Sequence, residues 1–368
     1  MYSQMARKVR LFTTIDRYIL RQFLGTYFFS ILLILSVAVV FDINEKISDF
    51  LKPEVPIRAI IFDYYLNFIP YYANLFSPLF TFISVIFFTT KLAENSEIIA
   101  MLAGGISFKR LMRPYMFSAA VIAILTFLLN SFLIPPANKT RIDFQNQYIK
   151  NRKMTYDENI QMEVQKDVFV YFGSYNEEIN TGYQFSMEKF DGNRLVSRLT
   201  AVRTEYADSG HWMVHNYVIN NYKDMKQEVI TGRTIDTLLH IQPSDFLVSL
   251  EDMETMTTPQ LSKYISRQQE RGVGNAKLYA IELHKRYAAI MTAFLLTVIG
   301  LSLSARKLKG GLGFNIAIGL GLSFGYILFT TATSTFAVSG SMSPWMAAWL
   351  PNFVYLFIAA YIYTRAPR

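Results

Sequence analysis

Hydrophobic positions along the chain fall into two regimes, six runs that are apolar at almost every position and one long central stretch that alternates. The runs cover residues 23–41, 60–90, 115–134, 287–303, 314–338 and 344–363. A hydrocarbon core of about 30 Å takes roughly 20 apolar residues in helical form, so each run is predicted to cross a membrane. The second run is longer than that and holds Pro70 and Pro78, which predicts a tilted or kinked start. The third is predicted to stop at Pro135-Pro136, because proline removes a backbone donor. Between residues 137 and 258 the period changes to two, as in Val168-Phe169-Val170-Tyr171-Phe172 and His211-Trp212-Met213-Val214-His215. Turn clusters separate these segments at Asn180-Thr181-Gly182, Asp191-Gly192-Asn193 and Asp208-Ser209-Gly210. The pattern predicts an antiparallel sandwich or open roll. The fold class is therefore a membrane α-helical protein with an inserted all-β domain, three spans before it and three after.

Charge orients this arrangement. Arg7, Lys8, Arg10, Arg17 and Arg21 precede the first run, Lys91 ends the second, and Arg306, Lys307 and Lys309 follow the fourth. By the positive-inside rule both termini are cytoplasmic and the β domain is outside. The formal net charge of +8 is thus spent on orientation and does not indicate nucleic acid. A hydrophobic share of 52% with only 17% charged residues excludes a soluble enzyme of this size. With no cysteine, disulfides and thiolate metal sites are excluded. The first run is too long for a cleavable signal and is expected to stay in the membrane. The expected domains are residues 1–136, 137–258 and 259–368, the last opening with a polar helix interrupted at Gly272-Val273-Gly274.

Between the second and third runs lies Ala93-Glu94-Asn95-Ser96-Glu97-Ile98-Ile99-Ala100-Met101-Leu102-Ala103-Gly104-Gly105. Ile98, Met101 and Leu102 recur at one-turn spacing, Glu97 falls in the first turn, and the glycine pair supplies a stop. This predicts a short amphipathic helix over 93–105, on the cytoplasmic side, shaped to dock on another protein. The chain has no Gly-x-x-x-x-Gly-Lys-Ser/Thr phosphate loop, and the cores of its first, third, fifth and sixth spans are almost free of charge, so energy is expected from a partner at that face. His211 and His215 are four apart but sit in a strand-like run without an adjacent glutamate, so no metal site is assigned to them. No catalytic set of Ser/His/Asp or paired carboxylates is grouped.

Several of these features resemble the LptF/LptG permeases. The matching residues are Ile15-Asp16-Arg17-Tyr18-Ile19, Ser77-Pro78-Leu79, Ser96-Glu97-Ile98 through Gly105-Ile106-Ser107, the glycines from Gly319 to Gly325, and Pro344 to Pro351. The resemblance implies one half of a heterodimeric permease that extracts lipopolysaccharide from the bacterial inner membrane, and the start and fifth-span pattern lean toward the LptG half. It implies a periplasmic β-jellyroll that joins an LptC-like bitopic protein, and a coupling helix seated in an LptB-like ATPase dimer. ATP and magnesium would be bound by that ATPase, and this chain would bind no cofactor and catalyse no reaction. Glu94, Glu97, Ile98, Met101 and Gly105 would form the coupling contact. Lipid would meet the first and fifth spans at Phe41, Gly321 and Gly325, with Lys46, Lys52, Arg58 and Arg141 near its phosphates. Where family members carry several lysines at the outer end of the first span, this chain sets Asp42, Glu45 and Asp49 beside Lys46 and Lys52. Other readings stay open beside it: a permease for another lipid, a scaffold recruiting partners through its β domain, which would tolerate changes at Glu97, and a lipid-modifying enzyme, which would need a cluster of polar catalytic groups at one membrane face that this sequence does not show.

Overall fold

A stripe of buried side chains recurring every fourth residue (Ile19, Phe23, Tyr27, Ile31, Leu35) makes the first helix, α1 (Thr14–Phe50), lean on the rest through one narrow face. Its start is fixed by a capping box in which the Asp16 carboxylate accepts from the Thr13 backbone N–H (2.8 Å) and the Asp16 N–H donates to Thr13 Oγ1 (3.4 Å). The structure is a computed structural model. It describes residues 13–149, 156–176, 179–192, 194–208, 210–223, 226–239, 241–243, 250–270, 276–306 and 311–366. Contacts divide the chain into a helical unit, Met1–Arg141 with Ile281–Arg368, and a second unit, Ile142–Ala280. The basic residues Arg7, Lys8, Arg10, Lys150, Arg152, Lys307 and Lys309, the turn residues Asn193 and Ser209, and the Gly272-Val273-Gly274 interruption lie outside the described residues.

In the helical unit α1 is followed by α2 (Ile57–Glu94), a short α3 (Glu97–Ala103) and α4 (Phe108–Ile149). After the second unit come α7 (Ala276–Ser304), α8 (Gly311–Val338) and α9 (Pro344–Thr364); all but α3 are long and apolar enough to cross a membrane, which makes six spans. The central helix is α2, buried on almost every side through Thr81, Phe82, Val85, Ile86, Phe88 and Thr89, and packed against α1, α4 and α8. Helix α7 reaches it at Gly300, where a Cβ would stand 2.9 Å from Val85 Cγ1, and α8 at Gly319, where a Cβ would stand 2.3 Å from Ile86 Cδ1. Several buried polar side chains in the spans pair with one another, which offsets their desolvation where water is absent. Tyr27 and Ser77 hydroxyls meet at 2.6 Å, Asn315 donates to Thr90 (3.0 Å), and Thr292 and Tyr326 both donate to Asn352 Oδ1 (3.0 Å each).

Pro70 and Pro78 sit inside α2, and the start of the span is irregular through a π-turn at Ile60–Tyr65, where the Asn67 side-chain amide donates to the carbonyls of Phe62 (3.0 Å) and Asp63 (2.9 Å). One expectation about proline is corrected. Pro135-Pro136 does not stop the third span. A π-turn at Leu129–Leu133 precedes it, and the prolines occupy the first turn of the α-helix that resumes at Ile134–Phe144, where their missing N–H groups are tolerated.

The second unit contains six antiparallel strands in one sheet of sequential order: β1 (Tyr156–Gln165), β2 (Val168–Asn176), β3 (Thr181–Asp191), β4 (Arg194–Tyr206), β5 (His211–Lys223) and β6 (Lys226–Leu238). Alternate residues Val170, Phe172, Phe185, Leu199, Trp212 and Val214 turn to one buried face. Strands β2 and β5 are three spacings apart, about 14 Å in a flat sheet, yet the Phe172 and Trp212 rings lie 5.4 Å apart. The sheet is therefore rolled around its aromatic core. The buried Trp212 indole donates to the Ile241 carbonyl (3.2 Å), so the segment after β6 closes over the same core. Two helices follow, α5 (Leu250–Thr255) and α6 (Thr258–Glu270); α6 buries Leu261 and Ile265 at one-turn spacing.

Candidate functional site

Helix α3 is held by its two ends and one side. It starts from Ser96 in the left-handed region (φ 61°), a turn that lets α2 reverse at once into α3. It ends in a Schellman motif: Gly105 (φ 88°) donates to the Leu102 carbonyl (3.0 Å) and Ile106 to the Met101 carbonyl (3.1 Å). Ile98 is fully buried in a core shared with Ile19, Phe23, Leu92, Phe108, Leu111 and Leu301, with Met101, Leu102 and Ile106 packed at its edge. Ile99, the next residue, is 55% exposed, in company with Glu94, Ala100, Ala103, Gly104 and Gly105. Of the residues expected at a docking contact, Glu94 and Gly105 face outward, Glu97 and Met101 are half-buried, and Ile98 faces the bundle. Ile98 is corrected from docking contact to anchor, because helical spacing puts it on the face that the spans cover. Ile99 takes the outward place.

The start of α1 grips both α3 and the helix that follows it. The Arg110 guanidinium donates two parallel hydrogen bonds to the Asp16 carboxylate, Nη1 to Oδ1 at 2.7 Å and Nη2 to Oδ2 at 2.6 Å. Tyr18 Oη donates to Glu97 Oε2 (3.3 Å), and Asn95 Nδ2 donates to Glu97 Oε1 (3.3 Å). None of these partners is close in sequence to Asp16 or Tyr18, so single-sequence reading had no signal for them.

At the opposite end of α1 the expected phosphate contacts are engaged locally. Lys46 pairs with Asp42, one helical turn away, and Asp42 also accepts from Tyr64 (3.1 Å) and Tyr65 (3.0 Å) in the π-turn of α2. Lys52 pairs with Asp49 at 2.8 Å. Arg141 is buried, with its Nε and Nη2 donating to Asn138 Oδ1 (2.8 and 2.6 Å) and its guanidinium over the Tyr71 ring. Arg58 is exposed on the first turn of α2. In β5, His211 contacts Asp236 of β6 (3.1 Å) and His215 contacts Glu205 of β4 (3.5 Å), so each histidine engages a different carboxylate.

The apolar positions divide differently. Only 22% of the most apolar window of α1, and likewise of α8, is buried, against 56% for α2 and 61% for α7. Along α1, Phe29, Leu32, Val40 and Phe41 stand out, and along α8, Phe324, Leu328 and Phe336. A Cβ at Gly321 would meet open space, whereas one at Gly325 would stand 3.2 Å from the Tyr355 hydroxyl. Close helix contact is made at Gly319, and Gly321 lies on the uncovered side of α8.

Six spans, an inserted β unit and a short helix with an outward face define a polytopic membrane protein. A family model described as lipopolysaccharide export system permease LptF/LptG matches residues 17–365, and the chain belongs to that family. It is a multi-pass inner-membrane permease subunit of the lipopolysaccharide export system and works with the other components of that system. A search of curated proteins finds no match.

Proposed function

We propose that this chain is the half-permease through which a separate ATPase drives lipopolysaccharide out of the membrane. The observation that carries the reading is α3: it is seated on the bundle by Ile98 yet turns Ile99, Glu94 and the Gly104-Gly105 end outward, in a chain with no phosphate loop of its own. An exposed isoleucine on a seven-residue helix is a small apolar anchor of the kind that fills a partner's pocket. In this reading α3 is cytoplasmic, and the β unit is periplasmic and joins an LptC-like protein. The bare faces of α1 and α8 meet acyl chains or the related permease chain. Lys46, Lys52 and Arg141 hold the outer ends of the helices in place, and Arg58 is the exposed cation available to a phosphate. The LptG half is favoured by Ile15-Asp16-Arg17-Tyr18-Ile19, whose Asp16 and Tyr18 both make interhelical contacts.

The test replaces Ile99 with Asp and Glu97 with Lys in the full complex purified from its own membrane. Both changes are expected to release the ATPase while the variant chains keep the thermal unfolding midpoint of the unaltered one. Retention of the ATPase by Ile99→Asp with normal lipopolysaccharide export would overturn the reading and move it toward a scaffold.

A further inference from the structure

Arg110 stands where local energetics argue against it. It occupies the first turn of α4, after the N-cap Ser107, where the helix dipole favours negative charge. Its placement is explained by a partner 94 positions away, the Asp16 carboxylate, which it meets in the bidentate geometry that arginine supplies and lysine does not. Asp16 is almost fully buried and is fixed a second time by the Thr13 capping box. Two positions further along α1, Tyr18 reaches Glu97, the first residue of α3. The start of α1 is therefore bound both to α3 itself and to the first turn of the helix that follows it. From there α1 runs unbroken to Phe50, and Asp42, about 39 Å further along at 1.5 Å per residue, is held by Tyr64 and Tyr65.

We propose that Asp16 and Arg110 are positioning residues for lipid extraction: their ion pair, with Tyr18 to Glu97 as the second hold, makes α1 move with α3 when the ATPase moves α3. The apolar face of α1 then shifts against its lipid. Between this grip and the Asp42 contacts at the far end, the core face of α1 is apolar apart from Tyr27 to Ser77 among the described residues, and apolar surfaces slide where a bidentate pair does not. This rests on the reading of α3 as the ATPase contact.

The experiment uses the intact complex in proteoliposomes and reads three quantities: ATPase retained, ATP hydrolysed, and lipopolysaccharide released per ATP. Arg110→Gln is expected to keep the ATPase and its hydrolysis while release per ATP falls about tenfold, a size usual for coupling between sites. Arg110→Lys, which keeps the charge and loses the fork, is expected to fall between the two. The double exchange Asp16→Arg with Arg110→Asp is expected to recover part of the loss. Unchanged release per ATP in Arg110→Gln would overturn the proposal, and so would a loss of release that merely tracks loss of the ATPase or of the folded chain. Ile99→Asp run alongside separates the two ideas: if it keeps the ATPase, the docking reading fails, whereas a released ATPase in Ile99→Asp with normal release per ATP in Arg110→Gln removes the clamp alone.

Discussion

Glycines of α8 that look alike in sequence meet different surroundings. Gly319 faces Ile86 so closely that a Cβ would enter its side chain, while Gly321 has open space. Ile86 is fully buried beside Phe82 and Val85, so a leucine at 319 cannot be absorbed by one flexible group. Gly319→Leu is expected to destabilise the helical unit by about 1–3 kcal/mol through overpacking, read as a lowered unfolding midpoint in detergent. Gly321→Leu is expected to leave that midpoint in place and to lower export by crowding whatever covers α8. The sequence pointed to the small-residue face of α8 but not to which glycine makes contact, because that depends on the rotation of α8 about its axis against α2. The same holds for Ile98 and Ile99. Both are isoleucines on one short helix, and only the position of the bundle decides which is anchor and which is exposed. Lys46 and Lys52 were legible as cations at the end of a span, but their neutralisation follows from Asp42 and Asp49 at helical spacing, a pairing that the same stretch of sequence already held.

At the scale of elements, six apolar runs became six helices because bilayer-length apolarity has few other solutions. The strands beginning at Val168 and His211 also fall where alternation put them. What alternation could not show was the roll of the sheet, which depends on aromatic contacts between β2 and β5, or the hairpin at Lys166-Asp167, which lacks glycine and turns instead on Asp167 at φ 63°. The cluster at Asp208-Ser209-Gly210 was legible, and Gly210 shows the reason for it. Its φ is 88°, its carbonyl accepts from the Leu239 N–H (2.9 Å), and a Cβ there would lie 2.7 Å from the Leu239 carbonyl oxygen. Gly210→Ala therefore combines a strained conformation with a backbone clash that no rotamer relieves, and is expected to cost the β unit about 1–3 kcal/mol. Fluorescence of Trp212, which is fully buried in that core and sits against the closing segment at Ile241, reports the loss as an earlier denaturation midpoint. A midpoint equal to that of the unaltered protein would show that β5 and the segment after β6 are not stabilised through this turn.

For the molecule as a whole, α2 and α7 are enclosed while α1 and α8 present bare apolar faces. Monomeric bundles in a bilayer expose apolar faces to lipid, so bareness alone does not distinguish lipid, a related chain or cargo. Val40 and Phe41 on α1 lie near the far-end cluster at Asp42, while Leu328 and Phe336 lie in the half of α8 remote from Asn315 and its partner Thr90. A heterodimer whose halves meet through these helices would place a related chain opposite some of these positions and extracted lipid opposite others. Because the chain has no cysteine, single introduced cysteines are unambiguous probes. Leu328→Cys and Phe41→Cys, each treated in native membranes with a short bifunctional maleimide against cysteines in the second permease chain, are expected to give a heterodimer band from at least one position. A photoreactive residue in place of Phe41 is expected to give an adduct carrying lipopolysaccharide, and to give more of it when the ATPase is held without hydrolysis than when it turns over. Adducts restricted to phospholipid at Phe41, with no heterodimer band from either cysteine, would place bulk membrane against α1 and α8 and would remove the lipid path from these faces, while leaving α3 and its anchor at Ile98 untouched.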